Sequence, residues 1–413
     1  MNQRIRRLAL ALITLFAVLF VQLNVIQVGR KNSLDDDQRN TRQAVRDFNE
    51  PRGDILSADG VVLATSERRD DGSDHPWQRV YPEGELFAGV TGYFTFAYGA
   101  TQVERVANDV LAGRTPQQQI QGIASLFDGA DTTGSVRLTL DSQIQEAARS
   151  ALGDREGSVV VVDVQTGAVK AMWSYPTFDP NYVATHDDRM AGDVLEFLDE
   201  APGNPLLTNA YQERYMPGST FKVITTAAAL DAGVLSLAST FAEESEFTPP
   251  QTNDPIQNYN NKVCGGDLTE VFRRSCNTPF ARTSLDMGPQ RMVEASRRFG
   301  IGEKIPFDLP RAASSSFGDV DYFEQNLPLL AIGGFGQGNT QMVPLHMALI
   351  AASVANQGVM MRPFVIDSTY DHDGRLMKRT SPSIWKQTMK PETATIMSGL
   401  MQEVVRSGTA SCC

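Results

Sequence analysis

The sequence predicts an α+β protein with a single N-terminal transmembrane helix. A β-rich domain follows it, and then a larger domain of helices around an antiparallel sheet. Three observations predict this. Leu8–Val28 is a run of 21 residues without a charge. Residues 52–64 read as two short strands about an Asp-Gly turn. From Gly157 a nearly continuous apolar strand and its return give way to mostly helical text, to about residue 300.

Composition sets the limits. The chain has 413 residues, 41% hydrophobic and 21% charged, which suits a globular protein of two or three domains. Four cysteines are too few for a disulfide-built scaffold. The net charge of −12 argues against a nucleic-acid partner, because phosphate binding needs a basic surface. The charge is uneven. Residues 1–31 carry Arg4, Arg6, Arg7, Arg30 and Lys31 and no acid, so the rest of the chain carries −17.

Taken in order, Leu8–Val28 comes first. As a helix at ~1.5 Å per residue it would be about 31 Å long, enough for a bilayer core. The arginines before it place the N-terminus in the cytoplasm and everything after Lys31 outside it. The competing reading, a cleaved signal peptide, needs a shorter apolar core and a small-residue site after it. The only Ala-x-Ala is Ala9-Leu10-Ala11, at the wrong end. The chain thus divides into a cytoplasmic tip and anchor (1–31), a pedestal (32–140) and a larger domain (141–413). Residues 32–50 read as a polar stalk. Val80–Tyr98 reads as a second β-rich piece, Gln102–Leu111 and Pro116–Phe127 as short helices, and Val136–Leu140 as a strand. Asp141 caps a helix that runs to about Leu152. Ser158–Val164 and Ala168–Ser174 form a hairpin about Gln165-Thr166-Gly167.

Two short motifs carry chemistry. Ser219 and Lys222 stand three residues apart at the start of an apolar helical run, Val223–Leu230, that ends at Gly233. That spacing puts both on one helix face. A hydroxyl is a weak nucleophile until a base takes its proton, and a buried lysine serves once its pKa falls towards ~7. A plain helix cap with a surface lysine fits the same residues. The second Ser-x-x-Lys, Ser383 to Lys386, opens no apolar helix and reads as that bland case. Ser275-Cys276-Asn277 is the only Ser-x-Asn. It reads either as a hydroxyl relay with a substrate-holding amide, or as a polar turn between helices.

In this order the motifs resemble those of the class B penicillin-binding proteins, membrane-anchored D,D-transpeptidases, and within them the actinobacterial elongation or division type. Flanking stretches carry the same resemblance. They are Pro51-Arg52-Gly53 with Asp59-Gly60, Asp163-x-x-Thr166-Gly167 with Pro176-Thr177-Phe178-Asp179-Pro180-Asn181, Tyr215-x-Pro217-Gly218-Ser219, and Gly336-Gln337-Gly338 with Ala355-Asn356-Gln357-Gly358. The resemblance implies Ser219 as nucleophile, Lys222 as base, Ser275 as proton relay and Asn277 as substrate-binding amide. It implies peptidoglycan stem peptides ending in D-Ala-D-Ala as substrates, β-lactams as acylating inhibitors, and a polytopic membrane glycan polymerase as partner. No cofactor and no metal site are expected; the four histidines stand singly.

Some residues depart from the family pattern. Thr208-Asn209-Ala210 stands where Asn-Arg-Ala is usual. The family's third motif, a Lys-Thr/Ser-Gly strand, has one candidate, Arg406-Ser407-Gly408-Thr409. It follows a helical pattern over Pro391–Val405 and reads as a helix stop with Gly408 at C′. The chain is therefore expected to end just short of the third motif and to lack full transpeptidase activity. A non-catalytic scaffold or activator of a glycan polymerase is the alternative function, and a β-lactamase the alternative enzyme. Cys264 and Cys276, placed in an oxidising compartment, form either a disulfide beside the site or, for Cys276, a small buried residue. Cys412-Cys413 are neighbours at the end of the chain.

Overall fold

The computed structural model describes residues 3–24, 48–69, 75–119 and 132–411. The chain divides into two compact units, residues 1–51 with 67–78, and residues 52–66 with 79–413.

The first unit holds helix α1 (Gln3–Asn24). Leu8, Phe16 and Phe20 are among its exposed apolar side chains. The uncharged run follows α1 as far as Asn24, and its residues 25–28 lie outside the described residues. Among the described residues, no helix is long and apolar enough to cross a membrane. Most of the expected stalk, residues 32–47, also lies outside them, as do Pro116–Phe127 beyond Gln119 and the pair Cys412-Cys413.

The second unit opens on a sheet assembled from distant stretches. Strand β1 (Ile55–Leu56) pairs antiparallel with β2 (Val62–Arg68), Ile55 opposite Ala64, across the expected Asp-Gly turn. The chain then makes helix α2 (Gln102–Val106) before β3 (Ser135–Leu138), which lies parallel to β1 with Val136 beside Ile55. Ile55, Ala64, Val136 and Leu138 are all buried. The expected β-rich piece at 80–98 is instead mainly a 3-10 turn, Gly84–Phe87, and a helical turn, Ala88–Thr91, with strand at Val80 and at Phe94–Thr95. Burial decides this. Leu86, Phe87 and Val90 face the core at helical spacing, overriding their strand propensity. The helix expected at 102–111 breaks at Ala107 into two short pieces.

Helix α3 (Ser142–Leu152) begins as expected, with the Asp141 carboxylate accepting from the Gln143 and Ile144 N–H groups. The hairpin of β4 (Gly157–Val162) and β5 (Val169–Tyr175) sets Val159 opposite Trp173. Buried Gln145 of α3 locks onto β5, accepting from Met172 N at 2.8 Å and donating to Met172 O at 3.0 Å.

Beyond the hairpin lie α4 (Asp188–Glu200), α5 (Lys222–Asp231), β6 (Thr240–Glu244), β7 (Cys264–Asp267), α6 (Leu268–Arg273) and α7 (Thr278–Arg298). Then come α8 (Leu327–Gly333), α9 (Pro344–Ala355), β8 (Val359–Met361), β9 (Ile366–Tyr370), β10 (Leu376–Arg379), β11 (Ile384–Gln387) and α10 (Pro391–Ser407). Strand β9 returns to the first sheet, antiparallel to β3, with Ile366 opposite Leu138 and Tyr370 opposite Ser135.

Two local readings change. The second Ser-x-x-Lys starts no helix: residues 384–387 are β11, paired with β8, and Lys386 meets Glu303 at 2.6 Å. Gly408 does follow the last helical residue, but with φ −106° it is not a left-handed cap. Glycine is required there by close approach, since a Cβ would lie 2.5 Å from the Arg273 carbonyl oxygen.

Candidate active site

The site is built at the start of α5. Residues Gly218–Phe221 form one 3-10 turn that runs into α5, so Ser219 sits one turn above Lys222. Ser219 is exposed, whereas Lys222 is 2% exposed. The turn is anchored from below by Phe221, fully buried and stacked on Phe317 at 5.2 Å. It is anchored from the side by the glycine segment after α8. Gly218 N donates to Gly336 O at 2.9 Å, and Thr225 Oγ1 donates to Gly334 O at 2.7 Å. Gly336 has φ +80°, and a Cβ on it would lie 2.1 Å from Gly218 O, so only glycine lets the two strands of chain touch. The glycine cluster is therefore a packing device for the Ser219 turn.

The Ser275-Cys276-Asn277 turn closes over Lys222 from the other side. Lys222 Nζ lies 3.1 Å from Ser219 Oγ, 2.8 Å from Ser275 O, 3.1 Å from Ser275 Oγ and 3.0 Å from Asn277 Oδ1. The rings of Phe280 and Phe335 flank it at 5.3 and 5.9 Å. Burial strips water from the ammonium and lowers its pKa to about 7. All four sequence-predicted residues, Ser219, Lys222, Ser275 and Asn277, thus meet at one point.

The acceptors around Lys222 are of two kinds. Ser275 O and Asn277 Oδ1 only accept, while the two hydroxyls can also donate. A neutral amine has two N–H groups and one lone pair. Given to the two obligate acceptors, the N–H groups leave the lone pair facing Ser219 Oγ and Ser275 Oγ. Such an arrangement can accept a proton from a hydroxyl without moving a heavy atom.

Ser275 adopts φ +56°, a left-handed backbone that is uncommon for a serine. Cys276 is buried and bonded to Cys264 of β7, so the turn is cross-linked to a strand at its central residue. For a loop of this size a disulfide stabilises by about 3 kcal/mol. Cys264→Ser combined with Cys276→Ser is expected to lower the denaturant midpoint accordingly. An unmoved midpoint would show that the bridge is not a stabilising tie.

Sequence reasoning missed the support beneath Asn277. Its side-chain Nδ2 donates to Gln257 O at 2.9 Å. No motif marks residues 257–258; two consecutive polar residues before Tyr259 were the only signal.

The sequence profile of the penicillin binding protein transpeptidase domain matches residues 157–412, and that of the penicillin binding protein A dimerisation domain matches residues 52–136. The peptidoglycan D,D-transpeptidase PbpA of Mycolicibacterium smegmatis is 34% identical over 412 residues, covering 97% of this chain and 82% of that protein. The chain belongs to the class B penicillin-binding proteins. The PbpA of Mycobacterium tuberculosis is 32% identical over the same share of each chain. Among solved structures, the imipenem acyl-enzyme complex of M. tuberculosis penicillin-binding protein A superposes with a TM-score of 0.82 at 30% identity, covering 87% of this chain and 83% of that one. A D,D-transpeptidase domain from Eggerthella lenta gives 0.77 at 29% identity, covering 88% and 83%. Residues 1–413 of this class B penicillin-binding protein contain the Ser-x-x-Lys and Ser-x-Asn sequences, and a Lys-Thr/Ser-Gly sequence is not among them.

Proposed function

We propose that the protein is a peptidoglycan D,D-transpeptidase that works through an acyl-enzyme on Ser219 and is acylated there by β-lactams. The observation that carries this is Lys222, buried beneath an exposed serine at 3.1 Å with its remaining contacts satisfied. In this reading the Ser219 hydroxyl gives its proton to Lys222 as Oγ attacks the carbonyl of the penultimate D-Ala. The peptide C–N bond breaks, and Ser275 passes the proton to the departing D-Ala amine. Asn277 holds the stem peptide. An amine on a neighbouring stem then attacks the ester, forming the crosslink and restoring the serine.

The expected organisation supports that role: an N-terminal tip and anchor to residue 31, a pedestal to residue 140, and a transpeptidase domain from 141. The apolar, exposed surface of α1 and the arginines at its N-terminal end support single-pass anchoring with the body of the chain outside the cytoplasm. A membrane glycan polymerase is the partner such an anchor and pedestal would serve.

Mass mapping after exposure to penicillin G tests the reading. The adduct is expected on the peptide containing Ser219 and not in Ser219→Ala. An adduct on another residue, or none at all, overturns it.

A further inference from the structure

Helix α7 begins at Thr278, yet its capping position is unusual. An asparagine at N-cap ordinarily turns its side chain back onto the first free N–H groups of its own helix. Asn277 does not: it makes no side-chain cap bond, and its amide reaches Lys222 and Gln257 instead. Position N2 is Pro279, which has no N–H to offer, and the N–H groups of Asn277 and Thr278 at the head of the helix are taken by Asn258. That residue is 4% exposed, and its Oδ1 accepts from Asn277 N at 2.7 Å and Thr278 N at 3.1 Å. Its Nδ2 donates to Glu244 O at 2.9 Å and to Thr278 Oγ1 at 3.3 Å. Its own N–H donates to Ser245 O at 3.0 Å. Every polar group of Asn258 but its carbonyl is thus tied to β6, the residue after it, or α7.

This has a chemical consequence at Lys222. The Asn277 amide has a donor end and an acceptor end. Gln257 O accepts from the donor end, so the acceptor end faces Lys222 Nζ. Flipped, the amide would set donor against donor at the lysine and acceptor against acceptor at the carbonyl. Asn258 carries that carbonyl on the residue before it and fixes the backbone from which Asn277 projects. Glu244, whose carbonyl holds Asn258, is itself gripped by Arg282 of α7 at 2.8 and 2.9 Å.

We infer that Asn258 is a positioning residue for catalysis: by holding the Asn277 and Thr278 N–H groups at the head of α7, it fixes the backbone from which the Asn277 amide reaches Lys222. The inference rests on the serine chemistry proposed above. A merely structural cap would change stability and leave the acylation rate alone. A positioning residue acts through Asn277, so its effect vanishes once Asn277 is removed.

The test is a double-mutant cycle on β-lactam acylation, with thermal melts to confirm folding. Asn258→Ala is expected to slow acylation about 10- to 100-fold, the scale of a misplaced catalytic group. Asn258→Asp keeps both acceptor bonds and is expected to retain more of the rate. Asn258→Ala with Asn277→Ala is expected to be no slower than Asn277→Ala alone. If Asn258→Ala does not fold, Asn258→Asp is taken through the same cycle. A wild-type rate in the folded Asn258 variant, or losses that multiply in the double variant, overturns the inference. Adduct formation that persists in Ser219→Ala would instead overturn the serine reading; Ser219-dependent labelling with an unaffected Asn258 variant removes only the positioning role.

Discussion

Lys222→Ala is expected to slow β-lactam acylation of Ser219 by about 10²- to 10⁴-fold, the range that a positioned general base contributes. The geometry leaves no substitute. Nζ is the basic group within hydrogen-bonding reach of Ser219 Oγ, and it is walled from water by Phe280 and Phe335. Lys222→Arg is expected to do no better, because a guanidinium does not give up its proton in a protein. The pH dependence follows from burial, which lowers the Lys222 pKa to about 7. Only the neutral amine can accept the serine proton. The rate should therefore rise with pH through about 7 and then level off, and Lys222→Ala should lose that inflection. A rate that stays flat from pH 6 to 9 would remove Lys222 as the base. Stability has the same sign. The unfolded chain keeps Lys222 protonated up to its ordinary value of 10.5, and the folded chain only to about 7. Between those values the unfolded state binds more protons, so this residue's contribution makes the fold more stable as pH rises across that window. Melts of the unsubstituted protein and Lys222→Ala across pH 7–10 would isolate it.

Lys222 and the three residues around it were legible because each belongs to a short motif whose spacing matches a turn. Ser219 and Lys222 stand three apart on one face, and Ser275 and Asn277 flank one turn. The helix cap at Asp141 follows from side-chain chemistry that acts within three residues. What the sequence did not show is set by long-range contact. Asn258 reaches Asn277 across 19 positions and carries no motif. Strand β9 joins β3 across more than 200 residues, so nothing local to residues 366–370 says which sheet it completes. The helical turns at 84–91 went unread because Leu86, Phe87 and Val90 suit a strand equally well until the core they face is known. The Cys264–Cys276 bridge lies between these cases: the residues were visible, but only the fold brings their Cα atoms to 5.8 Å.

The largest stability effect is expected at Glu104, in the region the sequence reads as the pedestal. Glu104 is fully buried between two guanidiniums. Arg52 Nε and Arg79 Nε each donate to it at 2.6 Å, one to each carboxylate oxygen. Tyr81 OH donates at 3.2 Å, and Arg52 Nη2 donates to the Glu104 carbonyl at 2.6 Å. Arg52 also reaches Asn108 Oδ1 at 2.8 Å and lies over the Phe94 ring, while Arg79 Nη1 donates to Gly53 O at 2.9 Å. Arg52 and Gly53 lead directly into β1, so this cluster holds the start of the first sheet. Burial pushes the Glu104 carboxyl up, but the charges of Arg79 and Arg52 outweigh it and hold the pKa below the ordinary value. Its stabilising contribution is therefore complete above the ordinary carboxylate range and is lost as pH falls through the depressed folded value. Glu104→Ala leaves two buried cations facing each other without their counter-charge. Breaking a buried pair from one side destabilises by about 3–5 kcal/mol. Glu104→Gln keeps the shape but not the charge, so it should recover only part of that. Replacing all three charged residues with apolar side chains of similar volume should be far milder than Glu104→Ala, because no unpaired charge remains. Denaturant unfolding distinguishes these outcomes. A Glu104→Ala loss below ~1 kcal/mol would mean that the cluster is spectator to the fold rather than the clamp at the root of its first strand.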